Sequence, residues 1–187
     1  MTLSPPSIVL VGLMGTGKST VARLLAEHRG VELLDTDKMI ESRYGKSVRD
    51  IFSESGEDTF RGYETEVLSD CVKRPGSPVI AAAGGVVVRD ENRQLLNNAR
   101  DIHTAVVVWL HARPDVLAER TTKGVHRPLL DEDRAGTLIR MDEERGPLYA
   151  SVADIVIDVS ERSVESVVEL LIEALQEQEE YVGNDNV

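Results

Sequence analysis

The chain has 187 residues, 41% of them hydrophobic and 29% charged, which suits one globular domain with its own core and is too short for two. Its formal net charge of −12 argues against a nucleic-acid partner, because such binding needs a basic surface. The first residues lack the pattern of a signal peptide, no apolar run could span a bilayer, and Cys71 is the single cysteine. We therefore expect a cytoplasmic protein without a membrane partner, with Cys71 packed in its core.

A glycine-rich motif at 12–20, Gly-Leu-Met-Gly-Thr-Gly-Lys-Ser-Thr, follows an apolar strand predicted at 7–12. Its spacing is that of the phosphate-binding loop. Glycines let backbone N–H groups approach an anion, and the next helix adds the partial positive charge of its N-terminus. Lys18 can reach the outer phosphates and Ser19 can bind Mg²⁺. The motif predicts a nucleoside triphosphate site; a glycine-rich turn that only starts a helix is the alternative.

Two acidic residues end the second predicted strand, at 31–34. In open parallel sheets ligands bind beyond the carboxyl ends of strands, so Asp35 and Asp37 are expected to point towards the phosphate loop. The alternative is that they cap the helix starting at Lys38, which explains one acid better than two.

Residues 38–74 contain no strand pattern and predict a helical insertion of three short helices, at 38–44, 47–54 and 57–73. Within it, Arg61 and Glu64 lie three residues apart on one helix face. An ordinary surface ion pair is one interpretation of that spacing.

The third predicted strand, 79–83, ends in small residues and runs into Gly84 and Gly85. Paired glycines at this point indicate that a ligand approaches the backbone closely, although a tight turn into the helix predicted at 89–100 explains them too. A fourth strand is predicted at 104–110.

Residues 121–130, after a helix predicted at 114–120, are basic, contain Gly and Pro, and lack apolar periodicity. They predict a mobile lid that folds over phosphates, with a solvated loop as the alternative. A helix is expected at 133–149 with a break at Gly146-Pro147, a strand at 155–159 and a last helix at 163–176. The acidic tail, 177–187, is expected to be frayed.

The alternation of strands and helices predicts an α/β fold of the P-loop NTPase type: a doubly wound, five-stranded parallel sheet with helices on both faces. The chain has no Asn-Lys-x-Asp segment of a switch GTPase, and its third strand ends in Ala83-Gly84-Gly85 instead of the magnesium-linked acid of a motor ATPase. The pattern therefore favours a small-molecule kinase.

Taken together, these motifs resemble the shikimate kinase family over about residues 7–176. The resemblance rests on the phosphate loop, Leu-Asp-Thr-Asp at 34–37, Phe-Arg-x-x-Glu at 60–64, Gly-Gly at 84–85, Arg-Pro-Leu-Leu at 127–130 and Arg-x-Pro-Leu-Tyr at 145–149. It implies one kinase domain over 1–187, acting as a monomer. It also implies ATP-dependent phosphorylation of the 3-hydroxyl of shikimate, with Mg²⁺, in aromatic amino acid biosynthesis.

The resemblance also implies a role for each matching residue. Shikimate would be held by Asp37, Arg61, Gly84 and Arg145, with the arginines on its carboxylate and Asp37 on its hydroxyls. Mg²⁺ would bind Ser19, with Asp35 behind it. Lys18, Asp37 and Arg127 would serve catalysis, Arg127 reaching the transferring phosphoryl group from the lid. ATP would be bound by Gly15, Thr16, Gly17, Lys18, Ser19, Thr20 and Arg127, and by Arg120 and Arg162 beside the adenine.

One position departs from the family: Ala83 replaces the first of three glycines usual after the third strand. A methyl group there should be tolerated if only the second glycine touches the substrate. Two other function classes stay open, namely another small-molecule kinase of the gluconate or nucleoside monophosphate type and a non-catalytic nucleotide-binding regulator. The pair Arg61 and Arg145 discriminates among the kinases, and acceptor-dependent turnover excludes the regulator.

Overall fold

The first strand lies at the centre of a parallel sheet. The computed structural model describes residues 5–122 and 132–184, with side chains up to 178. Within these residues the strands are β1 (Ser7–Val11), β2 (Leu33–Asp35), β3 (Val79–Ala81), β4 (Ala105–His111) and β5 (Ile155–Asp158). They pair in parallel in the order β2-β3-β1-β4-β5. The chain crosses from one side of β1 to the other between β3 and β4, and such a switch point is where open sheets bind ligands.

Helices cover both faces of this sheet. They are α1 (Lys18–Arg29), α2 (Thr36–Tyr44), α3 (Val48–Val72), α4 (Asp90–Asp101), α5 (Pro114–Arg120), α6 (Arg134–Val152) and α7 (Val164–Asn184). α1 and α7 pack together, whereas α4 and α6 form a second pair against β4. The predicted five-stranded, doubly wound fold is confirmed. Among the helices described here, none has the length and apolar character needed to cross a membrane.

The insertion between β2 and β3 is helical, and Gly45 and Gly56 separate three helical segments, as predicted. Gly56, at φ 81° and ψ 168°, divides α3 into its two segments. Ser47 caps α3 by accepting a hydrogen bond from the Asp50 amide at 3.1 Å. Cys71 is fully buried, and burial raises the pKa of its thiol to about 11, so the residue packs the core as expected.

Several predicted boundaries are wrong. β2 begins at Leu33, two residues late, and α2 begins at Thr36, two residues early. β3 ends at Ala81, two residues early, because the chain then turns. α6 continues through Pro147 to Val152, since burial of Tyr149 and Val152 anchors the turn that follows the proline. α7 extends to Asn184, beyond the predicted end at 176. Fraying of the tail stays a prediction, and the lid predicted at 121–130 lies almost wholly outside the described residues.

Asp154 joins three elements at the start of β5. Its carboxylate accepts hydrogen bonds from Arg100 Nε on α4 at 2.7 Å and from the Val107 amide on β4 at 2.8 Å. Val107 is fully buried, so its N–H depends on this partner.

We expect Asp154→Ala to lower the free energy of unfolding by about 2–3 kcal/mol, because the buried Val107 N–H loses its acceptor. Urea unfolding measures the loss. Asp101→Ala, at an exposed position on the end of α4, is the control and should stay within about 0.5 kcal/mol of the parent. Equal losses of stability in Asp154→Ala and Asp101→Ala would contradict the role of Asp154 as acceptor for the Val107 N–H.

Candidate active site

The phosphate loop between β1 and α1 has the backbone that its glycines permit. Gly12, Gly15 and Gly17 have φ values of 143°, 87° and 90°. A Cβ on Gly12 would overlap the carbonyl oxygen of Leu110 on β4, so that position needs glycine for space as well as for φ. Lys18 lies across the loop, with Nζ donating to the carbonyls of Gly12 at 2.8 Å and Leu13 at 2.9 Å. The lysine is therefore held at the mouth of the anion cradle.

Ser19 and Asp35 lie next to each other on the two strand-end segments. The Ser19 hydroxyl donates to Asp35 Oδ2 at 3.0 Å, and Asp35 Oδ1 accepts from the Lys38 amide at 3.3 Å, which caps α2. Asp35 therefore both faces the phosphate loop and caps α2, the two alternatives that the sequence left open. Hydroxyl and carboxylate oxygens suit Mg²⁺, which takes few protein ligands and fills its sphere with phosphate oxygens and water. Consistent with this, no cluster of three metal-ligating side chains exists within 5–122 and 132–178.

Asp37 lies in the first turn of α2, and it does not cap the helix. Burial raises the pKa of its carboxyl from 3.8 to about 6, helped by the negative charge of Asp35 and opposed by the positive charges of Lys18 and Arg61. Asp37 therefore lies within the electrostatic reach of both the phosphate loop and the helical insertion.

Arg61 is buried in the wall of the site, with 7% of its surface exposed. Its Nη1 donates to Glu64 Oε2 at 2.5 Å and its Nη2 to Glu57 Oε1 at 2.9 Å. The guanidinium carbon also lies 5.8 Å from the ring centroid of Phe52 and 5.6 Å from that of Phe60. The surface-pair interpretation of Arg61 and Glu64 is therefore wrong, because this face of α3 is turned away from solvent.

Glu64 shares the same environment and is 2% exposed. Burial raises its pKa to about 6, although Arg61 opposes the shift; Asp37 adds to it and Arg145 opposes it. Its Oε1 has no hydrogen-bond partner among the described residues. Acids and guanidinium groups from α2, α3 and α6 thus meet in one buried cluster.

The turn after β3 is where these elements meet. Arg145 Nη1 and the Tyr149 hydroxyl, both on α6, donate to the carbonyl oxygen of Gly84 at 3.3 and 2.5 Å. A Cβ on Gly85 would overlap the guanidinium of Arg61. Arg61 and Arg145 therefore reach the same two-residue turn from different helices.

Sequence reasoning missed the roles of Gly85 and Tyr149. The paired glycines indicated a close approach to the backbone, but the group that approaches Gly85 is a protein side chain. Tyr149 belongs to the Arg-x-Pro-Leu-Tyr motif, which offered the signal, yet no function was assigned to its hydroxyl. It is fully buried, and burial raises its pKa well above the usual value.

Arg120 and Arg162, both predicted to border the adenine, lie together against the backbone of residues 158–160. Arg120 Nη2 donates to the carbonyls of Val159 at 2.8 Å and Ser160 at 3.2 Å, and Arg162 Nε donates to that of Asp158 at 3.1 Å. A cavity of about 440 Å³ opens here, lined by Arg113, Asp158, Ser160, Glu161 and Arg162. Arg127, predicted to act from the lid, lies outside the described residues.

The fold and the phosphate loop define a class: a P-loop kinase with a helical insertion between β2 and β3. A family model described as shikimate kinase matches residues 14–176. Shikimate kinases from Marinomonas sp. and Symbiobacterium thermophilum are 40% and 43% identical, each covering 93% of this chain and 94% and 98% of the relative. The chain belongs to the shikimate kinase family.

Solved structures agree with this assignment. Shikimate kinase from Acinetobacter baumannii in complex with shikimate superposes with a TM-score of 0.86 at 34% identity, covering 94% of this chain and 95% of that one. A gluconokinase from Sinorhizobium meliloti reaches a TM-score of 0.63 at 20% identity over 98% of this chain and 99% of that one, which shows the fold alone. Neither the gluconate-type nor the regulator interpretation is favoured.

We expect Asp37→Asn to stabilise the fold at pH 8 by about 1–3 kcal/mol. The folded protein keeps the proton on Asp37 up to about pH 6, whereas the unfolded chain releases it near 3.8, so ionisation destabilises the fold as pH rises through that window. Urea unfolding at several pH values should show the gain at pH 8 and its disappearance towards pH 4. If the gain in stability did not depend on pH, or if the exposed control Asp101→Asn showed it too, the raised pKa of Asp37 would be contradicted.

Proposed function

We propose that the chain transfers the γ-phosphoryl group of ATP to the 3-hydroxyl of shikimate. The activity, ATP-dependent phosphorylation of shikimate, is that of its family. One observation supports this choice of residues: Arg61 and Arg145 both reach the Gly84–Gly85 turn. Arg61 is also close enough to lower the pKa of Asp37 by its charge. A guanidinium pair suits the planar carboxylate of shikimate, which gluconate-type and nucleotide acceptors do not present on a ring in this way.

On the donor side, the backbone of 15–20 and the N-terminus of α1 would hold the phosphates of ATP, with Lys18 on the outer ones. Lys18 Nζ now bonds to two loop carbonyls and would exchange them for phosphate oxygens. Ser19 would hold Mg²⁺, with Asp35 orienting the serine hydroxyl from behind. The metal, when bound, supplies charge neutralisation on the phosphates. Arg127 would reach the transferring group, and Arg120 and Arg162 would border the adenine beside the 440 Å³ cavity.

On the acceptor side, Arg61 and Arg145 would bind the carboxylate of shikimate, and Gly84 would form the backbone wall. Glu57 and Glu64 neutralise Arg61 in this structure, and their second role is to hold its guanidinium in place. Asp37 would orient the 3-hydroxyl and accept its proton. A carboxylate with a pKa of about 6 is mostly ionised at neutral pH yet basic enough to take a proton in the transition state.

Every group in this scheme comes from one chain, which supports a monomer as the working unit. The single, buried cysteine supports a reducing compartment, and we propose the cytoplasm.

An assay of ADP release tests the proposal. Shikimate should stimulate ADP formation, and gluconate and nucleoside monophosphates should not, because they lack the ring carboxylate that Arg61 and Arg145 would bind. Lys18→Ala should reduce turnover by about 100-fold or more through the loss of phosphate stabilisation. Stimulation by gluconate alone, or no acceptor dependence, would overturn the proposed function.

We expect Gly85→Ala to raise the shikimate KM by about tenfold or more, because the new methyl group displaces the flexible end of Arg61. The ATP KM should stay within about twofold, whereas the free energy of unfolding should fall, because displacing the guanidinium weakens its buried ion pair with Glu64. Gly62→Ala is the matched control: a Cβ there meets nothing within 4 Å, and it lies next to Arg61 on α3. Arg61→Lys should raise the shikimate KM in the same way. An unchanged shikimate KM in both Gly85→Ala and Arg61→Lys would remove Arg61 from the binding site.

A further inference from the structure

Two side chains without an assigned role hold the backbone at 83–84 from opposite sides. The Thr36 hydroxyl on α2 accepts a hydrogen bond from the Ala83 amide at 2.9 Å. The Tyr149 hydroxyl on α6 donates to the Gly84 carbonyl at 2.5 Å. Thr36 is 2% exposed and Tyr149 is fully buried, so water does not compete for either bond.

These bonds join segments that carry the proposed substrate contacts. Thr36 lies between Asp35 and Asp37, and Tyr149 lies one helical turn after Arg145. The turn itself packs on the phosphate loop, since a Cβ on Gly84 would lie 3.5 Å from the carbonyl oxygen of Gly12. The backbone of residues 83–84 therefore connects the segments that carry Asp37, Arg145 and the phosphate loop.

Tyr149 also limits how strongly Arg145 bonds to the backbone. Both donate to the same carbonyl oxygen, the tyrosine at 2.5 Å and the arginine at 3.3 Å. The oxygen has two lone pairs and accepts both bonds, but the shorter one to Tyr149 leaves Arg145 only a long contact at 3.3 Å, so the other four N–H donors of its guanidinium can serve an anion. Without the tyrosine hydroxyl, Arg145 would be the remaining donor to Gly84 among the described residues and would be drawn towards the backbone.

Thr36 has the corresponding effect on the other side. In the described structure its hydroxyl is the acceptor for the buried Ala83 N–H, and this bond sets how closely the first turn of α2 approaches the turn after β3. The separation of Asp37 from the Gly84 wall depends on it. Misplacement of a reacting group by about 1 Å is enough to lower rates by about 100-fold.

We propose that Thr36 and Tyr149 are positioning residues for the acceptor, acting through the backbone of residues 83–84. This inference rests on the proposed function and deepens it. Thr36 holds Asp37 at its distance from the acceptor wall, and Tyr149 keeps the Arg145 guanidinium free for the acceptor carboxylate.

The test compares steady-state kinetics of Thr36→Val, Thr36→Ser, Tyr149→Phe and the double variant Thr36→Val/Tyr149→Phe in the full chain. Thr36→Val, which keeps the shape and removes the hydroxyl, should lower kcat/KM for shikimate by about tenfold or more. Tyr149→Phe should raise the shikimate KM to a similar extent. The ATP KM should stay within about twofold in both, and Thr36→Ser should restore at least about a third of the parent activity. The double variant should lose less than the product of the single losses, because both bonds hold one short backbone segment, residues 83–84.

Several outcomes would overturn the inference: unchanged shikimate kinetics in Thr36→Val and Tyr149→Phe, an equal rise of both KM values, or a loss in Thr36→Ser as large as in Thr36→Val. Thermal unfolding of each variant separates lost folding from lost positioning, and the single-atom changes in Thr36→Ser and Tyr149→Phe keep the test available if Thr36→Val does not fold. The parent protein distinguishes the two proposals. If it does not phosphorylate shikimate, the proposed function fails; if it does and the variants match it, only the positioning role fails.

Discussion

The site depends on a guanidinium packed against a backbone that has no side chain. Arg61 occupies the space that a Cβ on Gly85 would take, and Glu57 and Glu64 hold it there. This packing brings α3 against the turn after β3, and Arg145 reaches the same turn from α6. The proposed acceptor site therefore depends on contacts between a helix of the insertion, the turn after β3 and a helix from the last third of the chain.

Electrostatics give this arrangement its chemistry. The chain has a formal charge of −12, and Arg61 lies beside two acids, Asp37 and Glu64. Burial favours the neutral form of both acids, and the charge of Arg61 opposes this effect. Asp37 and Glu64 both titrate near pH 6, because desolvation opposes their ionisation and the neighbouring guanidinium groups favour it. Such a balance destabilises the folded protein, and it would keep Asp37, the proposed base, close to neutrality, a trade of stability for function that is common in enzymes.

Local sequence patterns predicted the structure correctly where all the residues that form a feature lie in one short segment. Apolar runs predicted the five strands, and the phosphate loop was visible because its glycines and Gly-Lys-Ser triplet act on one anion through a continuous backbone. The proline break in α6 was predicted wrongly, since propensity at Pro147 was overridden by the burial of Tyr149 on the following turn.

By itself, the sequence determined the fold class, the phosphate loop and the family, because these follow from spacing within segments and from motifs in a set order. Only the tertiary structure decided that Arg61 and Glu64 are buried, that Gly85 makes room for a side chain, and that Thr36 and Tyr149 both bond to the backbone of residues 83–84. The reason is physical: these contacts join residues from α2, α3, α6 and the turn after β3, and no periodicity along the chain encodes which face of one helix meets another.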